Sequence, residues 1–318
     1  MIKKLYMTIL SMILLSLTFT TATFAWVSKA DTNRVDGIGL NASTNSNLEF
    51  SIDGVNWTSD MNLGSISGLI ENLSFIDLSS VDGKNFTSRP DGSSDMIYPN
   101  INYFSIELFV RTTTRYHDVY LVNNISNQVN FDDTPNRGTF ITSRGVTFRS
   151  SVDFQYDVDD YRLSGIPYVY YAKHAMRISM TELKTDNPND LRSSEELSHF
   201  IFDPSENEHR GFGKSYGSIS YHNAVRYDLI DIPSLIPNTT YSLTKFSNPN
   251  KYVPEDTTSR IMKLIETDEY NSTNDVYYKG KVLINIWLEG FDADAFDAIY
   301  NDDLKIRLEF QSAESIDI

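Results

Sequence analysis

The chain has 318 residues, 40% of them hydrophobic and 13% aromatic, and a formal net charge of −16. An acidic surface with no run of Lys and Arg argues against a nucleic-acid partner and is repelled by anionic lipid headgroups. The absence of cysteine excludes disulfides, thiolate catalysis, Cys-ligated zinc and lipid attachment through cysteine.

In chain order, Lys3 and Lys4 precede an uncharged run from Leu5 to Val27, which ends in Thr21-Ala22-Thr23-Phe24-Ala25. A basic start, an apolar middle and a small residue before a cut point read as a secretory signal, cleaved after Ala25 or alternatively after Ala30. Uncut, the 23 residues of the run would span a bilayer of about 30 Å as an anchor, but its seven Ser and Thr favour cleavage. Residues 1–30 are thus a signal peptide or N-terminal membrane anchor, and membrane contact is expected only there. Residues 31–318 are read as one exported β domain with insertions at about 82–100 and 203–217, both dense in Gly, Pro and polar residues.

The body reads as short strands divided by turns. Leu48–Ile52 alternates, Asp53-Gly54 turns, and Val55–Thr58 returns, a pattern that predicts a hairpin with both turn positions at positive φ. Strands are further expected at 73–78, 103–111, 119–122, 139–142, 146–154, 175–181, 199–202, 240–244 and 282–288. Helical signals are few: Ile261, Met262, Leu264 and Ile265 within 258–266 predict a short helix, and Ser193–Leu197 a helical turn. Many short strands with regular turns predict an all-β fold, an antiparallel β-sandwich or jelly roll with long loop insertions and one or two short helices.

The chain closes as strand, acidic connector, strand. Trp287 is read as a core anchor in the first strand, and Gly290 as permitting the turn that follows it. In the last strand Leu304, Ile306, Leu308 and Phe310 share one face, while Lys305, Arg307 and Glu309 share the other, which is expected to be wet. The connector acids Asp292, Asp294 and Asp297 are a candidate Ca²⁺ set, since hard oxygen ligands suit that ion. They lack the glycine and terminal Glu of an EF-hand loop, so the rival reading is a solvated loop with Asp292 as a helix cap and Phe296 and Ile299 packed inward. Asp153, Asp157, Asp159 and Asp160 form a second, weaker cluster. His117, His174, His199, His209 and His222 show no H-E-x-x-H spacing, and no G-x-S-x-G elbow occurs. Gly211-Phe212-Gly213-Lys214-Ser215 lacks phosphate-loop spacing. No catalytic residue and no resident cofactor other than calcium is assigned from the sequence.

The junction Thr23-Phe24-Ala25-Trp26-Val27-Ser28, followed by Gly37-Ile38-Gly39-Leu40-Asn41-Ala42-Ser43, resembles the TasA/camelysin family of exported matrix proteins. The likeness covers roughly the first 45 residues; Val27-Ser28 after Trp26 and the greater chain length depart from it. It implies a jelly-roll-like domain, processing by a dedicated type I signal peptidase, and biofilm-type fibres in which an N-terminal strand is lent to a neighbour. Self-association or other surface and matrix proteins are then the expected partners. Camelysin-type relatives are described as metalloproteases, and no motif here carries that activity over. The expected function is a non-enzymatic cell-surface or extracellular-matrix structural protein, and loss of residues 26–42 is expected to leave a folded monomer. The alternative is a membrane-tethered carbohydrate- or protein-binding module using exposed Tyr98, Tyr216 and Tyr221.

Overall fold

The computed structural model describes residues 33–315, apart from 44–45, 62, 89–95, 228 and 249–251. The signal segment with Ala25 and Ala30 lies outside the described residues. No helix among those described is long and apolar enough to cross a membrane.

Two large sheets make the fold, and it is an all-β sandwich. The first sheet has seven strands. At its centre Asn33–Ala42 runs parallel to the C-terminal strand Asp303–Ala313, pairing from Arg34↔Asp303 to Ala42↔Phe310. Asp118–Leu121 and Phe140–Ser143 pair antiparallel with successive parts of that last strand. The second sheet has nine strands around Val276–Glu289, flanked by Phe104–Thr112 and Met176–Leu183. His199–Phe202 extends it beyond Met176–Leu183.

Alternation explains why these segments are strands. Phe104, Ile106, Leu108 and Val110 point one way, as do Val282, Ile284, Ile286 and Leu288 in the neighbouring strand. Both sets join Ile38, Leu40, Leu304, Ile306, Leu308 and Phe310 of the opposite sheet in a single buried cluster. Period-2 side chains from two sheets fill one core, as a sandwich requires. Trp287 faces the other way, fully buried against Leu78 and Ile201 under Phe86. It is a core anchor, on the outer side of its sheet.

Several expectations are corrected. The stretch 258–266 is not helical: Arg260–Lys263 pairs with Asp118–Leu121, and Ile265–Tyr270 with Val276–Glu289. Here the chain passes from one sheet to the other, so Ile261, Met262 and Leu264 are all buried and no alternation survives. The stretch 146–154 divides into Val146–Arg149, which pairs with Pro167–Tyr170, and Phe154–Asp157, which pairs with Asp160–Arg162. Helices occur instead at Leu63–Ile70 and Ser218–Arg226. Neither carries an acid in its first turn, and the first contains two glycines, so sequence signals for them are weak. At Asp53-Gly54 only Gly54 has positive φ, and the loop is wider than two residues: Phe50 bridges Thr58. Asp53 holds it together by accepting the N–H groups of Val55 and Asn56, each at 2.8 Å.

The expected wet face of the last strand is covered as well. Lys305 donates to the carbonyl of Phe131 and Arg307 to that of Pro135, while Glu309 is 2% exposed.

Candidate functional site

The acidic connector is where the sequence concentrated candidate ligands, and the structure turns it into a buried ion-pair network. Strand pairing sets Arg177 opposite Trp287 on the outer side of the second sheet. Its guanidinium reaches Asp203 Oδ2 at 3.0 Å and makes a second, shorter contact with Asp292 Oδ2. All three side chains are within 2% of full burial. Glu289, also buried, accepts the Trp287 indole N–H at 3.0 Å and the Phe291 N–H at 3.2 Å.

One turn further on, Arg210 clamps Asp294. Its Nε lies 3.1 and 3.0 Å from the two carboxylate oxygens, and its Nη2 donates at 2.6 Å. The same guanidinium donates to the Tyr156 carbonyl at 2.7 Å and stacks 3.8 Å above the Tyr156 ring. Tyr156 and Tyr221 donate their hydroxyls to Asp294 and Asp297 at 3.1 and 3.0 Å.

Backbone contacts weld the segment 203–217 onto this connector. Phe212 bridges Asp292, Ala293 N–H donates to Arg210 O, and Ser218 N–H donates to Ala293 O. Gly217 has φ +64°, and a Cβ there would fall 2.1 Å from the Ala293 carbonyl oxygen. The loop 203–217 is therefore packed onto the connector at Arg210–Phe212 and Tyr216–Gly217, while 206–209 stay exposed.

Two arginines face four carboxylates here (Asp203, Glu289, Asp292 and Asp294), and the imbalance shapes their protonation. Burial pushes Asp292 up to about 8 against the opposing pull of Arg177. Asp203 and Glu289 are raised for the same reason, burial outweighing Arg177 and their hydrogen bonds. Burial alone would lower the Arg177 guanidinium, but Asp203, Asp292 and Glu289 overcome it and hold it protonated. A buried carboxylate without its own cation keeps its proton, because desolvating the anion costs more than binding one.

This geometry replaces the calcium reading of Asp292, Asp294 and Asp297 with protein partners for each acid. Asp292 and Asp294 are buried and not solvated, and Asp292 Oδ1 accepts the Asp294 N–H at 2.8 Å in a turn, with no helix there to cap, while Phe296 and Ile299 pack inward as expected. The second cluster is likewise dispersed: Asp153 accepts Ser164 N–H, Asp160 pairs with Arg162, and Asp157 meets His209 and Arg210. His117 stacks on Tyr278 and His199 bonds Thr181, so each ring has its own protein partner. Among the described residues no group of three or more His, Asp or Glu is placed to hold a metal. Of the tyrosines expected to bind a ligand, Tyr98 is exposed, whereas Tyr216 and Tyr221 are buried. Arg177 and Arg210 carry the network, and sequence reading missed both, because a lone arginine in a strand or loop gives no signal of burial.

The first strand is the second candidate. Its flank toward the C-terminal strand is fully paired, whereas the other flank is paired only near its ends. Leu40 and Asn41 meet Met61 and Asp60, and Asn33 and Arg34 meet Phe75 and Ser74. Helix Leu63–Ile70 connects those two short partners, so Val35–Gly39 has no strand beside it on that side among the described residues. Ile66 of the helix packs into the common core.

Comparison with family models finds no match for this chain, and comparisons with curated proteins and with solved structures find none either.

Proposed function

We propose that this is an exported surface or matrix protein, without enzymatic activity, that self-associates by exchanging its first strand between copies. The observation that carries the reading is the position of Asn33–Ala42. It is the first described strand, it lies parallel to the last one, and on its other flank it pairs only near its ends with two short strands that a helix connects. A terminal strand can leave without threading the chain, and the same strand from a second copy restores every hydrogen bond. Export is supported by Lys3, Lys4 and the uncharged run that follows, with signal peptidase as the processing partner.

The structure changes what deletion should do. Ile38 and Leu40 are buried, and burying each side chain stabilises by about 1.5–3 kcal/mol. Removing residues 26–42 takes out a central strand and exposes Leu304, Ile306 and Leu308, so a folded monomer is not the product. Exchange by the same argument is slow, since the strand must be replaced as it leaves.

Cross-linking tests the reading directly, because the chain has no cysteine of its own. Arg34 and Asp303 are register partners, so Arg34→Cys with Asp303→Cys places two thiols across the pair. Oxidised at high concentration, the double variant is expected to give covalent dimers and longer ladders on denaturing gels. Monomers with an internal bridge at every concentration, together with a concentration-independent monomer on size exclusion, would refute strand exchange.

A further inference from the structure

We infer that the outer face of the first sheet carries a binding cleft for a neutral, hydroxyl-rich ligand of the oligosaccharide class. This site is independent of strand exchange. Its volume is about 790 Å³, within the range of small-molecule sites. The floor is the outward side of the C-terminal strand, Glu309 and Gln311, opposite the core-facing Leu308 and Phe310.

Both walls are pinned before any ligand arrives. On one side Glu309 accepts the Gly138 N–H and the Asn123 amide, the latter at 3.2 Å. Asn123 and Gly138 both have positive φ, and a Cβ on Gly138 would strike Ile125 at 2.5 Å, so this loop is set tightly over the strand. Asn124 donates to Pro204 O at 2.9 Å and so holds the loop bearing Glu206. On the other side Thr244 is fixed by Ser259 at 3.0 Å and by Asp256 at 2.6 Å, and Glu255 N–H donates to Lys245 O. Walls that need no rearrangement lower the entropy cost of binding.

The chemistry of the lining selects the ligand. Gln311 is 5% exposed, and its Nε2 is buried without a hydrogen-bond partner. A buried amide N–H left unpaired costs free energy, and turning the Gln311 side-chain amide toward an oxygen acceptor in the cleft removes that cost without moving the backbone of either wall. The rim mixes Arg137 and Lys245 with Glu206 and Glu255, so no single sign of charge dominates. Such a rim offers hydrogen bonds to hydroxyls but does not concentrate an anion or a cation. Leu243 and Phe246 add the apolar surface on which the C–H face of a sugar ring packs. With Glu309 on the floor the lining holds three acids against two bases, so an anionic ligand is disfavoured.

Chitotriose and maltotriose, titrated into the purified protein by calorimetry and by saturation-transfer NMR, test the assignment and separate acetamido from plain sugars. At least one is expected to bind saturably, and a heparin oligosaccharide is expected not to compete. Gln311→Leu and the exposed rim change Arg137→Ala should each weaken binding about tenfold, equivalent to about 1.4 kcal/mol. Arg137 is exposed, so Arg137→Ala keeps the test valid if Gln311→Leu folds poorly. Absence of saturable binding by both trisaccharides, stronger binding of the anionic sugar, or unchanged affinity in Arg137→Ala and in folded Gln311→Leu would each overturn the inference.

Discussion

Replacing Arg177 by Met is the sharpest probe of the buried network. The substitution keeps much of the side-chain volume but removes the cation that faces Asp203 at 3.0 Å and also touches Asp292. Removing one partner of a buried ion pair costs about 3–5 kcal/mol, because the remaining charge has lost its compensation. The carboxylate that Arg177 keeps ionised can escape that cost by taking up a proton. Protonating a carboxylate of ordinary pKa near 3.9 costs about 1.4 kcal/mol per pH unit, which is about 1.5 kcal/mol at pH 5 and about 5.6 at pH 8. The cheaper route is taken at each pH. The variant should therefore lose about 4 kcal/mol at pH 8 but only about 2 at pH 5, lost packing included. Urea unfolding followed by circular dichroism at the two pH values measures both losses. A loss below about 1 kcal/mol at pH 8, or an equal loss at both pH values, would refute the network as an electrostatic unit.

The wild-type protein should itself lose stability as pH rises from about 5 to about 8.5. Asp203, Glu289 and Asp292 have raised folded-state pKa values, so they contribute stability at low pH that is lost as pH climbs through those values. Asp82 is lowered to about 2: burial opposes the shift, and the backbone N–H groups of Asn85 and Lys84 outweigh it. Its contribution is present above the ordinary carboxylate range and is lost only on acidification towards pH 2. A melting temperature flat or rising between pH 5 and 8.5 would contradict this balance. Trp287→Phe leaves Glu289 without its indole donor and should cost about 1–3 kcal/mol, whereas Glu289→Gln should cost less, as chemical denaturation can compare. Gly217→Ala should destabilise by more than about 2 kcal/mol, since strain at positive φ adds to a backbone collision. Gly68→Ala meets open space in helix Leu63–Ile70 and should stabilise by about 0.5–1 kcal/mol; if that helix must move for strand exchange, covalent ladders should also form more slowly.

Much of the architecture was legible because strand alternation is a local property. His199–Phe202 coincides with its predicted range, and Phe104–Thr112 lies within one residue of it. The Ser193 turn was equally readable, since its capping box with Glu196 is written in four consecutive residues. The run around Ile261 misled because burial on both faces erases the period-2 signal. Val276–Glu289 proved twice as long as predicted, because Tyr277, Lys279 and Lys281 read as polar surface. In the sheet Arg111 lies over the Tyr277 ring and Lys281 pairs with Glu107.

The candidate site divides the same way. Composition and spacing singled out the connector, and Asp292, Asp294 and Asp297 do lie at a focus of the fold. What those acids do depends on Arg177 and Arg210, which are 115 and 84 residues away in the chain. A carboxylate exposed to water is a ligand in search of a cation; the same group buried beside a guanidinium is a structural bond. The sequence by itself determined strand content, acidity, the lack of disulfides and the apolar N-terminal run, because each is set by residue identity and near-neighbour pattern. Only the tertiary structure decided which acids meet which arginines, and that the second face of the last strand is covered as well as the first. Those are questions of burial and long-range pairing, and desolvation, which sets their energies, exists only once the chain has folded.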